Sequence, residues 1–136
     1  MTRRGQALVE LAVSLPVLLL LALGAAQFVR LALTRAGLDA ATAAAVAAAA
    51  RAPSAATAGL AGKAAFDGVS AGYGLGRSAT VTVATGDFPR GGNVSASAHA
   101  DVSLGFSGIP ALDLSWRLSS SASARVEDWR SRPTGP

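Results

Sequence analysis

Charge is absent from residues 11–29, a run that contains Val17-Leu18-Leu19-Leu20-Leu21 and is interrupted by polar side chains only at Ser14 and Gln27. As an α-helix rising about 1.5 Å per residue, the run covers roughly 28 Å, close to the hydrocarbon thickness of a bilayer. A soluble core helix of that size carries a polar stripe. This pattern instead predicts a transmembrane helix, with a candidate kink at Pro16, whose ring removes one backbone donor. Arg3 and Arg4 precede it, so the positive-inside rule places the N-terminus in the cytoplasm and the residues after about 30 outside.

Helical character continues past the apolar run. Residues 40–50 are almost all Ala, the strongest helix former, with Thr42 and Val46 between them. Pro53 stops the helix, because proline disfavours helical geometry in the residue before it. A helix over residues 6–52 is roughly 70 Å long at 1.5 Å per residue, so its second half extends outside the membrane. Ser54 then offers an N-cap for a short second helix, with Leu60, Ala61, Ala64, Ala65 and Val69 on one face. That helix and a Gly-rich joint, Gly72-Tyr73-Gly74-Leu75-Gly76, make up residues 53–77. The joint lacks the strand before and helix after that a phosphate-binding loop needs.

The periodicity next switches from 3.6 to 2. Ala79, Val81 and Val83 alternate with Thr80 and Thr82. Every even position from Val94 to Leu104 is apolar, with Ser95, Ser97, His99, Asp101 and Ser103 between them. A third alternation runs from Leu114 to Glu127 through Trp116, Leu118, Ala122, Ala124 and Val126, with Ser120 the one polar even position. Such alternation predicts three antiparallel strands with one buried face, within residues 78–130, followed by a flexible tail over 131–136. Phe88-Pro89-Arg90-Gly91-Gly92-Asn93 supplies the first turn and residues 105–113 a longer connection. Of the two tryptophans, Trp116 reads as a core anchor and Trp129 as an exposed contact. The fold class is α+β, with a long N-terminal helix, a short second helix and a small three-stranded sheet.

Composition narrows the chemistry. The 136 residues hold no Cys and one His, which excludes disulfide scaffolds, thiol catalysis and Cys/His zinc sites. A Ser-His-Asp enzyme would depend wholly on His99, which has no partner set around it and reads as a solvated side chain that Asp101 could hydrogen-bond. The expectation is a non-enzyme with no catalytic residue, cofactor, metal or small-molecule substrate. The net charge of +4 comes from Arg residues spread along the chain, with Arg3-Arg4 the one adjacent pair. Nucleic-acid binding calls for a concentrated basic face, so no nucleic-acid partner is expected.

The remaining signal stands at the head of the apolar helix, Arg3-Arg4-Gly5-Gln6-Ala7-Leu8-Val9-Glu10. Gly5 beside Gln6 would give a peptidase an accessible bond at the membrane edge, unless Gly5 serves as an ordinary N-cap. Glu10 puts a carboxylate at the edge of the hydrocarbon, where an ionised group is costly and usually has a partner. Glycine, four residues, then glutamate opening an apolar helix resembles the type IV prepilin pattern. With Leu11-Ala12, Leu15-Pro16-Val17 and Gln27-Phe28-Val29-Arg30-Leu31, the finer match over residues 3–35 is to TadE-like minor pilins, or pseudopilins, of the tight-adherence (Flp-type, type IVb) pilus system.

The resemblance implies that residues 1–5 are a leader peptide, that Gly5 precedes the cleaved bond, that Gln6 becomes the new N-terminus, and that Glu10 acts in assembly. Gln6 departs from the apolar first residue of many pilins. The implied partners are the major Flp pilin, other pseudopilins, the inner-membrane assembly platform, a prepilin peptidase and membrane lipid. The implied place is the cytoplasmic (inner) membrane, crossed once, with incorporation into an extracellular pilus that supports surface attachment. The alternative reading is a generic membrane-anchored or secreted small β-domain with an extracellular binding role. In its secreted form, Arg3-Arg4, residues 11–23 and Gly24-Ala25-Ala26 would form a cleavable signal, against which Glu10 and the continuing helix both count.

Overall fold

The structure, a computed structural model, describes residues 3–86, 91–103 and 115–126. Half of the expected first turn (88–90), the 105–113 connection, Trp129 and the 131–136 tail lie outside the described residues. The elements are α1 (Arg3–Ala50), α2 (Ala55–Gly72), β1 (Ala79–Ala84), β2 (Asn93–Ser103) and β3 (Ser115–Arg125), with a single 3-10 turn (Gly76–Ser78) before β1. The α+β class read from the periodicities is borne out.

The chain divides into two units, residues 1–33 and 34–136. In the first, every residue from 5 to 26 is exposed, including Leu8, Val9, Leu11 and the whole Val17–Leu21 run. A helix apolar on all sides has no stripe to hide and no reason to stay in water. Among the described residues, α1 is the one helix long and apolar enough to cross a membrane.

In the second unit, α1 buries a single stripe: Leu38, Ala41, Thr42, Ala45, Val46 and Ala49. The three- and four-residue spacing puts them on one helical face. Thr42 joins this apolar stripe at no hydrogen-bonding cost, because its hydroxyl donates to the Leu38 carbonyl at 2.7 Å. α1 stops at Ala50, three residues ahead of Pro53. Ser54 caps α2 as expected, through a reciprocal box in which Thr57 takes the place of the usual Glu. The Thr57 N–H donates to Ser54 Oγ at 3.4 Å and the Ser54 N–H to Thr57 Oγ1 at 3.3 Å.

The face of α2 that is buried differs from the expected one. Ala58, Gly62, Phe66 and Ser70, four residues apart, are buried. Ala61, Ala65 and Val69 are half-buried, while Ala64 is exposed and Leu60 is 74% exposed. The cause is the close approach to α1: a Cβ on Gly62 would lie 3.0 Å from the Ala45 carbonyl oxygen and 3.0 Å from Val83 Cγ2. Only the column containing that glycine can come so near, and Phe66 on the same column is the largest fully buried side chain. α2 ends in a Schellman motif, with the Leu75 N–H donating to the Ser70 carbonyl and the Gly74 N–H to that of Ala71. Gly74 takes the left-handed φ of +69° that the motif needs, and Leu75 after it is buried.

The sheet has the order β1-β2-β3, antiparallel throughout. In β2, Val94, Ala96, Ala98, Ala100 and Val102 are all buried and their odd-numbered neighbours all exposed, as the alternation predicts. Val83, Val94 and Val126 pack with Ala49 and Ala52 of the α1 end and Ala58 and Ala61 of α2. Cross-strand hydrogen bonds tie β3 to the glycines before β2: the Val126 N–H donates to the Gly92 carbonyl and the Gly91 N–H to that of Val126.

Two positions on β3 depart from expectation. Trp116, read as a core anchor, is 59% exposed although its strand partner Val102 is buried. Ser120, the polar exception in the alternation, is half-buried and faces the Asp39 carboxylate of α1. That contact, together with Arg35, holds the Asp39 carboxyl below the usual carboxylate range against an opposing effect of burial.

Candidate functional site

The residues singled out at the N-terminus all lie on α1. The helix begins at Arg3, so Gly5 is inside its first turn and is not its N-cap. Gly5, Gln6 and Glu10 are exposed. Four residues separate Gln6 from Glu10, which places them on the same helical face, one turn apart. Glu10 has no hydrogen-bond or ion-pair partner among the residues whose side chains are described. Its carboxylate stands one residue ahead of the uncharged run, on a surface otherwise made of Leu8, Val9, Leu11 and Val13. Such a group is available to an external cation and strongly attracts one where the surroundings exclude water.

α1 passes through Pro16 as one helix. The neighbours of Pro16, Leu15 and Val17, are exposed like the rest of this segment. Near the end of the apolar run, Gln27 is half-buried and its Oε1 has no hydrogen-bond partner among the described residues. A side-chain amide within an apolar helix is a group that a second helix can satisfy.

The sheet carries the remaining polar chemistry. His99 is exposed on β2, opposite Thr80 of β1 and Ser119 of β3. Asp101 does not serve His99. Its Oδ1 accepts from Arg117 Nε at 2.9 Å, across a directly paired β2–β3 position. The pair holds the Arg117 guanidinium more firmly charged, by hydrogen bonding first and charge second. The stronger cross-strand partner explains why the i+2 relation between His99 and Asp101 brings no bond. Among the described residues, no three of His, Asp and Glu are grouped as a metal site would need.

Sequence reasoning missed Asp39, Ser120, Gly37 and Gly62 as contact-making residues. Only Ser120 left a signal, its break in the alternation. Gly37 matters because a Cβ there would lie 2.7 Å from both Cβ and Cγ of Tyr73, so the end of α2 rests directly on the α1 backbone.

Comparison with known proteins bears on α1. Residues 5–51 match the family model described as TadE-like protein, a span that begins at Gly5 and ends one residue past the helix. The resemblance read from the N-terminal motif is borne out over that span. No curated protein and no solved structure matches the chain.

Proposed function

From an N-terminal helix that matches the model of the TadE-like family, a pilus-associated and pilin-like family, we propose that this chain is a minor pilin of a tight-adherence pilus. It would act in the assembly or structure of the filament and so support surface attachment. The observation that carries the reading is the coincidence of the family match with an all-round apolar helix headed by a lone carboxylate. A helix exposed over residues 5–26 needs either lipid or neighbouring helices around it. A pilin helix has lipid before assembly and other pilin helices after it.

In the proposed mechanism a prepilin peptidase cuts between Gly5 and Gln6, removing Arg3 and Arg4 from the cytoplasmic edge. The cut frees an α-amino group with an ordinary pKa of about 7.7 to 8.0, largely protonated at neutral pH. Glu10 attracts that ammonium, within the chain or on an incoming subunit, and the low dielectric strengthens the attraction once both groups are desolvated. The proposed partners are the major Flp pilin, other pseudopilins, the inner-membrane assembly platform and the peptidase. The chain crosses the cytoplasmic membrane once, and its C-terminal unit lies outside. Its role is structural.

The test is Glu10→Leu in the full chain, with mass spectrometry of the mature N-terminus. The variant is expected to insert, to begin at Gln6 like the wild type, and to lose co-purification with the other pilus components. Wild-type recovery in the pilus fraction would remove Glu10 from the mechanism. A mature N-terminus at Gln27 would make the apolar run a secretory signal and end the pilin reading.

A further inference from the structure

Three contacts within the second unit fix the direction in which its elements run along α1. Near the end of α1, Ala49 and Ala52 pack with Val94 and Val126. Further toward the N-terminus, Asp39 faces Ser120, and Gly37 touches Tyr73. Moving from Ala52 back to Asp39 therefore moves along β3 from Val126 back to Ser120. Continuing in that direction, Trp116 lies four residues on, roughly 13 Å at a strand rise of about 3.3 Å per residue. Tyr73 at the end of α2, the 3-10 turn with Arg77, and the β2–β3 pairs of Asp101 with Arg117 and Val102 with Trp116 share this end of the unit. It is the end at which the chain enters the unit, at Thr34.

Its chemistry is distinctive. Tyr73 is 50% and Trp116 is 59% exposed, and among the described residues from 34 onward they are the exposed aromatic side chains. Trp116 sits on the core-facing side of β3, yet nothing described covers it, while Val102 beside it is buried. Three arginines accompany the rings. Arg35 and Arg117 are paired with Asp39 and Asp101, and Arg77 has no ion pair among the described residues, which leaves this end cationic. Exposed Trp and Tyr, whose rings carry an apolar body and a polar edge, together with excess guanidinium, make the combination that favours a bilayer interface with anionic headgroups. The uncharged run ends at Val29 and the second unit begins at Thr34, five residues on, a tether of at most about 18 Å of chain.

We propose that the end of the second unit formed by Tyr73, Arg77, Trp116 and Arg117 rests on the lipid headgroups of the membrane that α1 crosses. This inference depends on α1 being a membrane span, and on nothing else in the proposed function. The rings sit at the level of the glycerol backbone and the guanidinium groups on the phosphates. The surface is then released when the chain leaves the membrane.

The test uses the full chain carrying Trp129→Phe, so that Trp116 is the sole tryptophan, in vesicles of phosphatidylethanolamine and phosphatidylglycerol. Part of the lipid is brominated either at the upper end of the acyl chain or near its terminal methyl. Flotation with the vesicles first establishes that the chain is membrane-bound. The expected result is loss of Trp116 emission to the shallow bromine, little loss to the deep one, and a weaker effect when Arg77→Glu is added. A chain that floats with its Trp116 emission untouched by either lipid overturns the inference while leaving the membrane span intact. Shielding of Trp116 from both bromine and aqueous iodide would mean that protein covers it, and would overturn the inference as well. A chain that fails to float removes the span, and the inference with it.

Discussion

Gly37→Ala adds one methyl group at the point where α2 returns to α1. The new Cβ would lie 2.7 Å from Tyr73 Cβ, 2.7 Å from its Cγ and 2.9 Å from its Cδ1. These are the root of the side chain, so a change of rotamer cannot clear the clash. The backbone around Tyr73 must retreat by several tenths of an ångström or more. Overpacking of this kind costs about 1–3 kcal/mol, against which the better helix propensity of Ala returns about 1 kcal/mol. The expected net loss is about 0–2 kcal/mol, or up to several degrees in the midpoint of a thermal melt.

Gly59 and Gly68 on α2 are the controls, because a Cβ there meets nothing within 4 Å. Gly59→Ala and Gly68→Ala should each stabilise by about 0.5–1 kcal/mol, the gain in helix propensity and backbone entropy alone. The same substitution therefore has opposite signs within one pair of helices. Tyr73→Ala cannot rescue Gly37→Ala, since it keeps the offending Cβ, whereas Tyr73→Gly removes all three atoms and should show a favourable coupling. Melts of the full chain in detergent, followed by circular dichroism, read all of these. Gly37→Ala melting as high as Gly59→Ala would refute the close approach of α2 to α1.

Two further predictions test the sheet. Val102→Asp should destabilise by a few kcal/mol and Ser103→Asp hardly at all, because Val102 is buried and its neighbour exposed; equal shifts in the melt would mean that the register is wrong. Asp39, whose carboxyl is held below its usual range chiefly by Ser120, contributes stability above the unfolded-state pKa of about 3.9, lost as pH falls through the lower folded value. Ser120→Ala should therefore shallow the loss of stability on acidification below about pH 4, a small effect for a half-exposed pair, read from melting midpoints across that range.

The elements that the residue pattern made legible are those in which apolar and polar side chains alternate without a break. β2 is the clearest case, since Val94 to Val102 never breaks step and no other face can be buried. The apolar helix was legible for a similar reason, as a run without charge has few alternatives at that length. The buried face of α2 was not. In an Ala- and Gly-rich helix the hydrophobic difference between faces is slight, and the choice falls to backbone proximity, which Gly62 permits and Leu60 does not reveal. Trp116 failed for the converse reason: its place in the alternation was right, but it stands one residue inside the start of β3, where its side chain is left exposed. On α1, the positions of Gly5, Gln6 and Glu10 followed from the motif. The exposure of Glu10, with no partner among the described side chains, required the structure.

Of the side chains that fill the interior of the second unit, Ala41, Ala45, Ala49, Ala52, Ala58, Ala96, Ala98 and Ala100 form a large share. An alanine scan, the usual way to find which residues hold a domain together, would pass over all of them in silence. It would report Leu38, Phe66 and the buried valines, and leave the contact between helices and sheet unmapped. The interior is instead read by enlargement. Replacing these alanines one at a time by Val or Leu leaves the hydrophobicity favourable and asks only for space, so the positions with none stand out as the seam. Natural drift meets the same asymmetry: truncation to Gly costs roughly 1 kcal/mol in a helix, whereas growth strains every neighbour at once. The seam is therefore vulnerable to gain of volume rather than to its loss.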